Sequence, residues 1–165
     1  MMPAMRLSPY PYVPQFLPEG ETGRVSVVVV HYRGAGDLRR CVESLAAQDW
    51  EDLELVLVDN GSLGGLPSLT SEARRGEGRA DLVVEVIQLE RNLGFPGGAN
   101  AGASAARGEF IFFLNPDTSL QPGCIRELVG ALRDGADIAT ARLLLAEDPS
   151  LLDNAGHGLY PDGLN

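Results

Sequence analysis

Four short stretches of this chain are apolar at almost every position, and they constrain the fold more than any other feature of the sequence. They are rich in β-branched and aromatic residues and cover Val25 to Val30, Leu53 to Val58, Val83 to Leu89 and Phe110 to Leu114. A strand that is apolar on both faces must be covered on both sides, as in a parallel sheet packed between helices. The sequence therefore predicts an α/β fold with a mostly parallel sheet and helices on both of its faces. A fifth strand is predicted from Asp137 to Leu145.

Amphipathic segments lie between these stretches and predict three helices. Apolar residues recur at i, i+3, i+4 and i+7 from Leu38 and again from Ile125. Asp37 is the predicted N-cap of the first of these helices, and Pro122 is the predicted first residue of the second. A further helix is predicted from about Gly98 to Arg107, with a face of small residues that allows close approach to the sheet.

The remaining segments contain little apolar sequence. Residues 1–23 hold five prolines and no continuous apolar core of a signal peptide, which predicts an extended lead-in before one domain at 24–165. Residues 61–81 are glycine-rich and polar and predict a loop with one short helix. No stretch approaches the about 20 apolar residues that span a bilayer. We therefore expect a cytoplasmic protein, with peripheral association at the inner face of the plasma membrane left open.

Charge and cysteine content exclude several classes of function. The formal net charge is −10, and all 13 basic residues are arginines that form no basic block. Nucleic acids and anionic lipids are bound by clustered cations, so we expect no binding to nucleic acid. Cys41 and Cys124 belong to no CxxC pair and are interpreted as small apolar residues in a reducing compartment. A disulfide-bonded secreted mini-protein is excluded.

Polar residues follow each of the four apolar stretches. They include His31-Tyr32-Arg33 after the first, Asp59-Asn60-Gly61-Ser62 after the second, Glu90-Arg91-Asn92 after the third and Asn115-Pro116-Asp117-Thr118 after the fourth. Ligands of open α/β sheets bind beyond the carboxyl ends of the strands. The sequence therefore predicts that these four sets of residues converge on one ligand-binding rim.

A glycine-rich segment between Asn92 and Asn100 belongs to the same rim and leads into a helix. Free amide groups at a helix start favour a phosphate or another anion. The alternative is that Gly94, Gly97 and Gly98 only permit a tight turn and close helix packing. The segment is not a P-loop, because no Gly-Lys-Ser/Thr follows, and no complete GxGxxG follows the first strand.

Asp117 directly follows a strand and Asn115-Pro116, a position suited to holding a divalent ion beside a diphosphate. Mg²⁺ needs one or two protein carboxylates when phosphates complete its coordination shell. The structural alternative is that Asp117 caps a turn or the following helix.

Three other rim residues also leave alternatives open. Asp59 either accepts a hydrogen bond from a nucleobase N–H or forms an Asx turn with Gly61. His31 is interpreted as lining a base pocket rather than as a catalyst. Arg91 either neutralises phosphate charge or pairs with Glu90.

Taken in order, VSVVVVHYRG, LELVLVDNGS, ERNLGFPGGANAG and FIFFLNPDTSLQPG resemble the nucleotide-sugar-binding half of family 2 glycosyltransferases, which have the GT-A fold. The resemblance covers about Arg24 to Gly156. Asn-Pro-Asp in the place of the more usual Asp-x-Asp is similar to the bacterial rhamnosyltransferase-like subgroup. The resemblance implies inverting transfer of a sugar from a nucleoside-diphosphate sugar, with dTDP-rhamnose as the first candidate. The implied acceptor is a hydroxyl of a polysaccharide or a lipid-linked glycan.

The resemblance also assigns roles to residues of the rim. It implies that Asp117 binds Mg²⁺ or Mn²⁺ and that Asp59 contacts the nucleobase. It further implies a set of residues around the nucleotide and its sugar, namely His31, Tyr32, Arg33, Asn60, Arg91, Asn92, Gly94, Gly97, Asn100 and Asn115.

This sequence departs from the family pattern in two ways. The first strand of the family commonly ends in Asn-Tyr-Asn, where this chain has His31-Tyr32-Arg33. Family enzymes also continue with an acceptor-binding half that supplies an acidic general base, and no match to it is found here. The base is therefore expected beyond residue 165, and these 165 residues are expected to bind the sugar donor weakly and to transfer little sugar.

Two alternative functions are carried forward. One is a non-catalytic module that binds a nucleotide sugar. The other is a sugar nucleotidyltransferase, which would place a glycine-rich, basic phosphate loop after the first strand. The segment HYRGAGDLRR is a poor version of such a loop.

Overall fold

The computed structural model describes residues 20–33, 35–62, 66 and 82–154. Within them the elements follow in the order β1 (Glu21–His31), α1 (Ala35–Ala46), β2 (Leu53–Asp59), β3 (Val83–Gln88), α2 (Gly94–Ala105), β4 (Gly108–Leu114), α3 (Cys124–Arg133), β5 (Leu143–Leu144) and β6 (Leu152–Asn154). β1 begins at Glu21, inside the segment expected as a lead-in. The rest of that segment up to residue 19 and most of the loop expected at 61–81 lie outside the described residues.

The main sheet is parallel and has the strand order β3-β2-β1-β4, as the apolar stretches predict. At its carboxyl edge, His31 of β1 is in register with Asp59 of β2, and Asp59 with Gln88 of β3. On the other side of β1, Val29 is in register with Leu114 of β4. The strand order reverses at β1, where the chain crosses from β3 to β4. The carboxyl ends of β1 and β4 therefore form a topological switch point.

Helices cover both faces of this sheet because both faces of β1 and β2 are apolar. One face packs against α1 and α3 in a core built from Val25, Val27, Val29, Leu38, Cys41, Val42, Leu45, Leu53, Leu55, Leu57, Leu114, Ile125 and Val129. The opposite face packs against α2 in a smaller core of Val28, Val30, Val56, Val58 and Ala99. Successive side chains of a strand point to opposite faces, so odd-numbered residues of β1 and β2 face α1.

Small residues let α2 approach the sheet closely. A Cβ atom added to Gly102 would lie 2.3 Å from Cγ1 of Val28, and one added to Gly98 would lie 2.6 Å from Cγ1 of Val30. Even one methyl group would therefore overlap with β1. The small-residue face predicted from the sequence is confirmed.

A buried polar network closes the amino edge of the sheet. Glu54 is fully buried and accepts hydrogen bonds from Oγ of Ser26 at 2.6 Å, from the backbone N–H of Arg107 at 2.9 Å and from Nε of Arg107 at 2.8 Å. Oγ of Ser26 in turn accepts the N–H of Gly108 at 2.7 Å. Burial by itself would raise the pKa of Glu54, but these hydrogen bonds outweigh it, and the pKa lies below its usual value.

The predicted fifth strand from Asp137 to Leu145 is wrong. Only Leu143–Leu144 is a strand, and it pairs antiparallel with β6 in a separate two-stranded sheet. Ile138 is 88% exposed, so this part of the stretch has no covering layer that would favour a buried strand. No helix among the described residues is both long enough and apolar enough to cross a membrane.

Three predicted helix starts also need correction. α1 begins at Ala35, so Asp37 lies in its first turn, where it forms an ion pair with Arg40 at 2.5 Å, rather than at the N-cap. α3 begins at Cys124 after Gly123, whose φ of 80° suits glycine, so Pro122 precedes the helix. α2 begins at Gly94, four residues before the predicted start. Most of the predicted glycine-rich turn is therefore already helical.

The close packing of α2 predicts opposite effects for two glycine-to-alanine substitutions. We expect Gly102→Ala to lower the free energy of unfolding by about 1–3 kcal/mol because of overpacking. Gly130→Ala is the matched control, since Gly130 also lies in a helix but has open space around its Cβ position. That substitution is expected to raise the free energy of unfolding by up to about 1 kcal/mol. Urea unfolding measures both, and a change of the same sign would contradict the packing described.

The Glu54 network predicts a specific loss of stability in acid. The folded protein keeps this carboxylate ionised at a pH where the unfolded chain, with a pKa of about 4.3, has bound a proton. The free energy of unfolding therefore falls as the pH drops through this window. We expect Glu54→Gln to be less stable at pH 7 by about 1–3 kcal/mol and to show a shallower decline between about pH 5 and pH 3.

Urea unfolding at several pH values tests this expectation. Glu127→Gln, which changes an exposed carboxyl on α3, is the control. Equal pH slopes for the wild type and Glu54→Gln would refute the role given to the network.

Candidate functional site

His31 and Asp59 are neighbours at the carboxyl edge of the sheet. Both residues are odd-numbered, so by the alternation of side chains along β1 and β2 they lie on the face that packs against α1. Both are buried, with 3% and 1% of their surface exposed. Nδ1 of His31 is buried and has no hydrogen-bond partner among the residues that the structure describes. Burial lowers the pKa of His31, and the negative charge of Asp59, which acts in the opposite direction, does not offset it. His31 is therefore a neutral imidazole at pH 7.

A tight turn follows Asp59. Oδ1 of Asp59 accepts the backbone N–H of Ser62 at 2.9 Å, so the predicted Asx-type turn is present but closes on Ser62 rather than on Gly61. Gly61 has a φ of 73°, and a Cβ atom there would lie 2.4 Å from the carbonyl carbon of Arg91. The turn therefore packs directly against the segment after β3. Within the described parts of the chain, Oγ of Ser62 is a second buried side-chain atom without a hydrogen-bond partner.

Asn60 points to the other face of the sheet and holds the start of α2. Its Nδ2 donates to Oδ1 of Asn92 at 3.1 Å and to the carbonyl oxygen of Gly94 at 3.0 Å. Its Oδ1 accepts the N–H of Leu93 at 2.9 Å. The side chain is thus occupied in fixing the β3–α2 connection, and contact of Asn60 with a ligand stays a prediction.

The start of α2 offers fewer amide groups than a free helix terminus. Oδ1 of Asn92 accepts the N–H of Gly94 at 2.7 Å, and Pro96 has no N–H. Among the first three residues of α2, only Phe95 therefore has a backbone N–H that could bind an anion. Gly97 packs against Leu93, with 2.6 Å between a Cβ atom placed on the glycine and Cβ of Leu93. The packing alternative for these glycines is therefore present in the structure.

Asp117 lies in a turn directly after β4. The N–H of Thr118 donates to the carbonyl oxygen of Asn115 at 3.1 Å, with Pro116 and Asp117 as the two central residues. Proline is favoured at the first of these positions. The carboxylate of Asp117 is exposed, and it forms no hydrogen bond or ion pair with another described residue. Capping of the following helix is ruled out, since α3 begins after Gly123.

Asp117 belongs to no cluster of acidic residues, histidines or cysteines in the described ranges, so a divalent ion there would be shared with ligand oxygens. No group of three or more His, Cys, Asp or Glu residues within the described parts of the chain could hold a metal. A single unpaired carboxylate at a strand end nevertheless fits Mg²⁺ or Mn²⁺ that is shared with phosphate oxygens. The negative charge of Asp117 interacts electrostatically with the thiol of Cys41 on α1. Burial and then this charge raise the pKa of Cys41 to about 12.

The remaining predicted residues lie around the same edge. Arg33 is exposed; its guanidinium carbon lies 4.8 Å from the centre of the Tyr32 ring, and its Nη2 donates to the Tyr32 hydroxyl at 3.2 Å. Arg91 is exposed and forms no ion pair with Glu90 among the described residues. Asn100 is half-buried within the second turn of α2. His31 and Asp59 thus lie at one edge of the sheet on the α1 face, and Asn60 contacts Asn92 and Gly94 on the α2 face. A ligand contact of Asn100 or Gly97 stays a prediction.

Sequence reasoning missed two polar residues that hold the Asp117 segment. Oγ of Ser44 accepts the N–H of Leu120 at 2.9 Å, and Nε2 of Gln48 donates to the carbonyl oxygen of Gln121 at 3.0 Å. Gln48 is 1% exposed. Their spacing after Cys41, at i+3 and i+7, places them beside the apolar residues of α1 and is a signal that could have identified them.

Comparison with known proteins identifies the class. The profile of glycosyl transferase family 2 matches residues 26–158, and the chain belongs to this family. The α/β fold predicted from the sequence is confirmed by similar solved structures.

Among curated relatives, the succinoglycan biosynthesis protein ExoO of Rhizobium meliloti is 37% identical over 120 residues, which cover 72% of this chain and 31% of ExoO. Among solved structures, S. aureus TarS has a TM-score of 0.56 at 28% identity, over 67% of this chain and 32% of the TarS chain. The mannosyltransferase PcManGT of Pyrobaculum calidifontis, solved with GDP-Man and Mn²⁺, has a TM-score of 0.52 at 26% identity, over 58% of this chain and 28% of the other. The chain spans about a third of the length of such relatives.

The buried position of His31 predicts how its imidazole titrates. The chain has two histidines, His31 and His157, and a His31→Asn variant assigns their NMR signals. We expect His31 to titrate below the usual value of about 6.5. Because the unfolded chain binds this proton at higher pH, the free energy of unfolding should decrease as the pH falls below about 6.5. Titration at or above that value would contradict the conclusion that burial outweighs the charge of Asp59.

Proposed function

We propose that this chain binds a nucleoside-diphosphate sugar at the carboxyl edge of its parallel sheet and forms the sugar-donor-binding part of an inverting glycosyltransferase. The observation that carries the proposal is the pair of unpartnered buried atoms, Nδ1 of His31 and Oγ of Ser62. They are the only such side-chain atoms among the described residues, and both belong to residues that adjoin Asp59 in register or in its turn. Buried polar groups are normally paired, so two unmet groups at one edge point to a polar ligand.

The arrangement of charges suits a nucleoside diphosphate. Asp59 and the neutral His31 offer hydrogen-bonding groups to the polar edge of a nucleobase. The carboxyl ends of β2 and β4 flank β1 and are therefore roughly 10 Å apart, so a ligand at Asp59 can extend toward Asp117. Arg33 and Arg91 are exposed cations at this edge of a chain with a net charge of −10, and we assign them to the diphosphate.

Asp117 would hold Mg²⁺ or Mn²⁺ together with the diphosphate oxygens. When bound, such an ion offsets negative charge on a departing diphosphate, an electrostatic contribution that is often the largest in catalysis. The protein itself contributes the fixed turn from Asn115 to Thr118, which keeps the carboxylate of Asp117 at the switch point. The similar structure of PcManGT in complex with GDP-Man and Mn²⁺ supports this assignment.

The finer identity of the substrates is also a proposal. The Asn115-Pro116-Asp117 sequence, which is similar to the rhamnosyltransferase-like subgroup, favours dTDP-rhamnose as the sugar donor. The acceptor is a hydroxyl of a polysaccharide or of a lipid-linked glycan, and the similarity to the succinoglycan biosynthesis protein ExoO supports this class of acceptor. The general base belongs to an acceptor-binding half that this sequence does not match.

Calorimetric titration of the 165-residue chain with UDP, dTDP and GDP, each with and without Mn²⁺, tests the proposal. We expect Mn²⁺ to strengthen nucleotide binding and Asp117→Ala to remove that gain while leaving metal-free binding intact. Asp59→Asn keeps an oxygen for the N–H of Ser62 but loses the charge, and it should weaken binding about 10-fold with or without metal.

Asp134→Ala, which removes an exposed carboxylate beyond the end of α3, is the charge-matched control and should change neither quantity. Nucleotide binding that is indifferent to Mn²⁺ and to Asp117 would remove the metal assignment. No binding of any nucleotide would remove the proposed function.

A further inference from the structure

Three residues on one side of α1 and just beyond its end form a polar row that faces the segment after β4. The row consists of Cys41, Ser44 and Gln48, spaced three and four residues apart, so that they lie on one helical face. Cys41 also belongs to the apolar core against the sheet, whereas Ser44 and Gln48 contact the segment after β4. The polar atoms of this row must therefore be paired with something.

The polar row of α1 is paired with the backbone of the segment that carries Asp117. Sγ of Cys41 donates to the carbonyl oxygen of Asn115 at 3.6 Å. Oγ of Ser44 accepts the N–H of Leu120 at 2.9 Å. Nε2 of Gln48 donates to the carbonyl oxygen of Gln121 at 3.0 Å, and Oε1 of Gln48 accepts the N–H of Ile125 at 3.3 Å.

These contacts run in the same order along both segments. The first fixes Asn115, two residues before Asp117, and the second fixes Leu120, three residues after it. Asp117 has no hydrogen bond or ion pair of its own among the described residues. The place of its carboxylate is therefore set by backbone that α1 holds on both sides of it.

We propose that Ser44 and Gln48 are positioning residues for Asp117, which fix the carboxylate where a divalent ion and a diphosphate can share it. This inference rests on the proposed function, since it assumes that Asp117 meets a metal ion. Neither residue touches the ligand. Their effect reaches the site through the backbone between Asn115 and Ile125, and removing it should loosen the carboxylate without changing its chemistry.

The amino edge of the sheet supplies a control for a purely structural role. Ser26 is buried there, and its hydroxyl is hydrogen-bonded to Glu54 and Gly108. Ser26→Ala and Ser44→Ala thus each delete one serine hydroxyl from a polar network. Only Ser44 lies in the network that holds Asp117.

The readout is the ratio of nucleotide affinities with and without Mn²⁺, measured by calorimetry with UDP and dTDP. We expect Ser44→Ala and Gln48→Met to lower this ratio about 10-fold, as supporting residues of metal sites do, while affinity without metal stays the same. Ser44→Thr keeps the hydroxyl and should retain the ratio. Ser26→Ala should lower the unfolding midpoint in urea and leave the ratio unchanged.

The outcomes separate the two proposals. If Asp117→Ala lowers the ratio but Ser44→Ala and Gln48→Met do not, the positioning role is overturned and the proposed function stands. If Ser26→Ala lowers the ratio as much as they do, general destabilisation explains the effect, and the positioning role is again overturned. If Asp117→Ala leaves the ratio unchanged, the metal assignment fails, and this inference fails with it.

Discussion

The backbone pairing of β1 on both sides is the constraint on which the rest of the structure depends. Because β2 and β4 both hydrogen-bond to β1, its backbone groups are satisfied without water, and its side chains can be buried on both faces. That burial requires a helix on each face, α1 and α3 on one and α2 on the other. The same pairing brings the carboxyl ends of the strands to one edge. The fold and the location of the site thus have one common cause.

The two edges of the sheet differ in whether their buried polar groups are hydrogen-bonded. At the amino edge, Ser26, Glu54 and Arg107 pair with one another, so that a fully buried carboxylate remains ionised. At the carboxyl edge, Nδ1 of His31 and Oγ of Ser62 have no hydrogen-bond partner in the described part of the chain. The network at the amino edge stabilises the fold, whereas the buried groups at the carboxyl edge are able to form hydrogen bonds with a ligand.

The sequence was sufficient to predict the elements whose burial follows from composition alone. The runs that became β1 and β2 are apolar except at Ser26 and Glu54, and the covered parallel sheet follows from them. The run from Asp137 to Leu145 has a similar composition, but no other element covers Ile138 among the described residues. Whether a segment is covered depends on distant parts of the chain, and its own sequence does not show this. The start of α2 was misplaced because Gly94 and Pro96 are typical of turns, yet proline is also tolerated in the first turn of a helix.

For the candidate site, too, positions next to a strand could be predicted from the sequence, whereas contacts between distant segments could not. The positions of Asp59 and Asp117 could be predicted, because each follows a recognisable strand. The contacts of Asn60 with Asn92, and of Ser44 with Leu120, could not, because they join segments that are 32 and 76 residues apart. Only the three-dimensional register of the strands brings such pairs together.

The unmet hydrogen bonds at the carboxyl edge link binding to folding. A ligand that hydrogen-bonds to His31 and Ser62 stabilises the folded state, because only the folded chain holds these two groups together. Occupancy and conformational stability then become two measures of the same free energy. The conformational stability of this chain would accordingly rise and fall with the supply of the ligand that we propose for this edge.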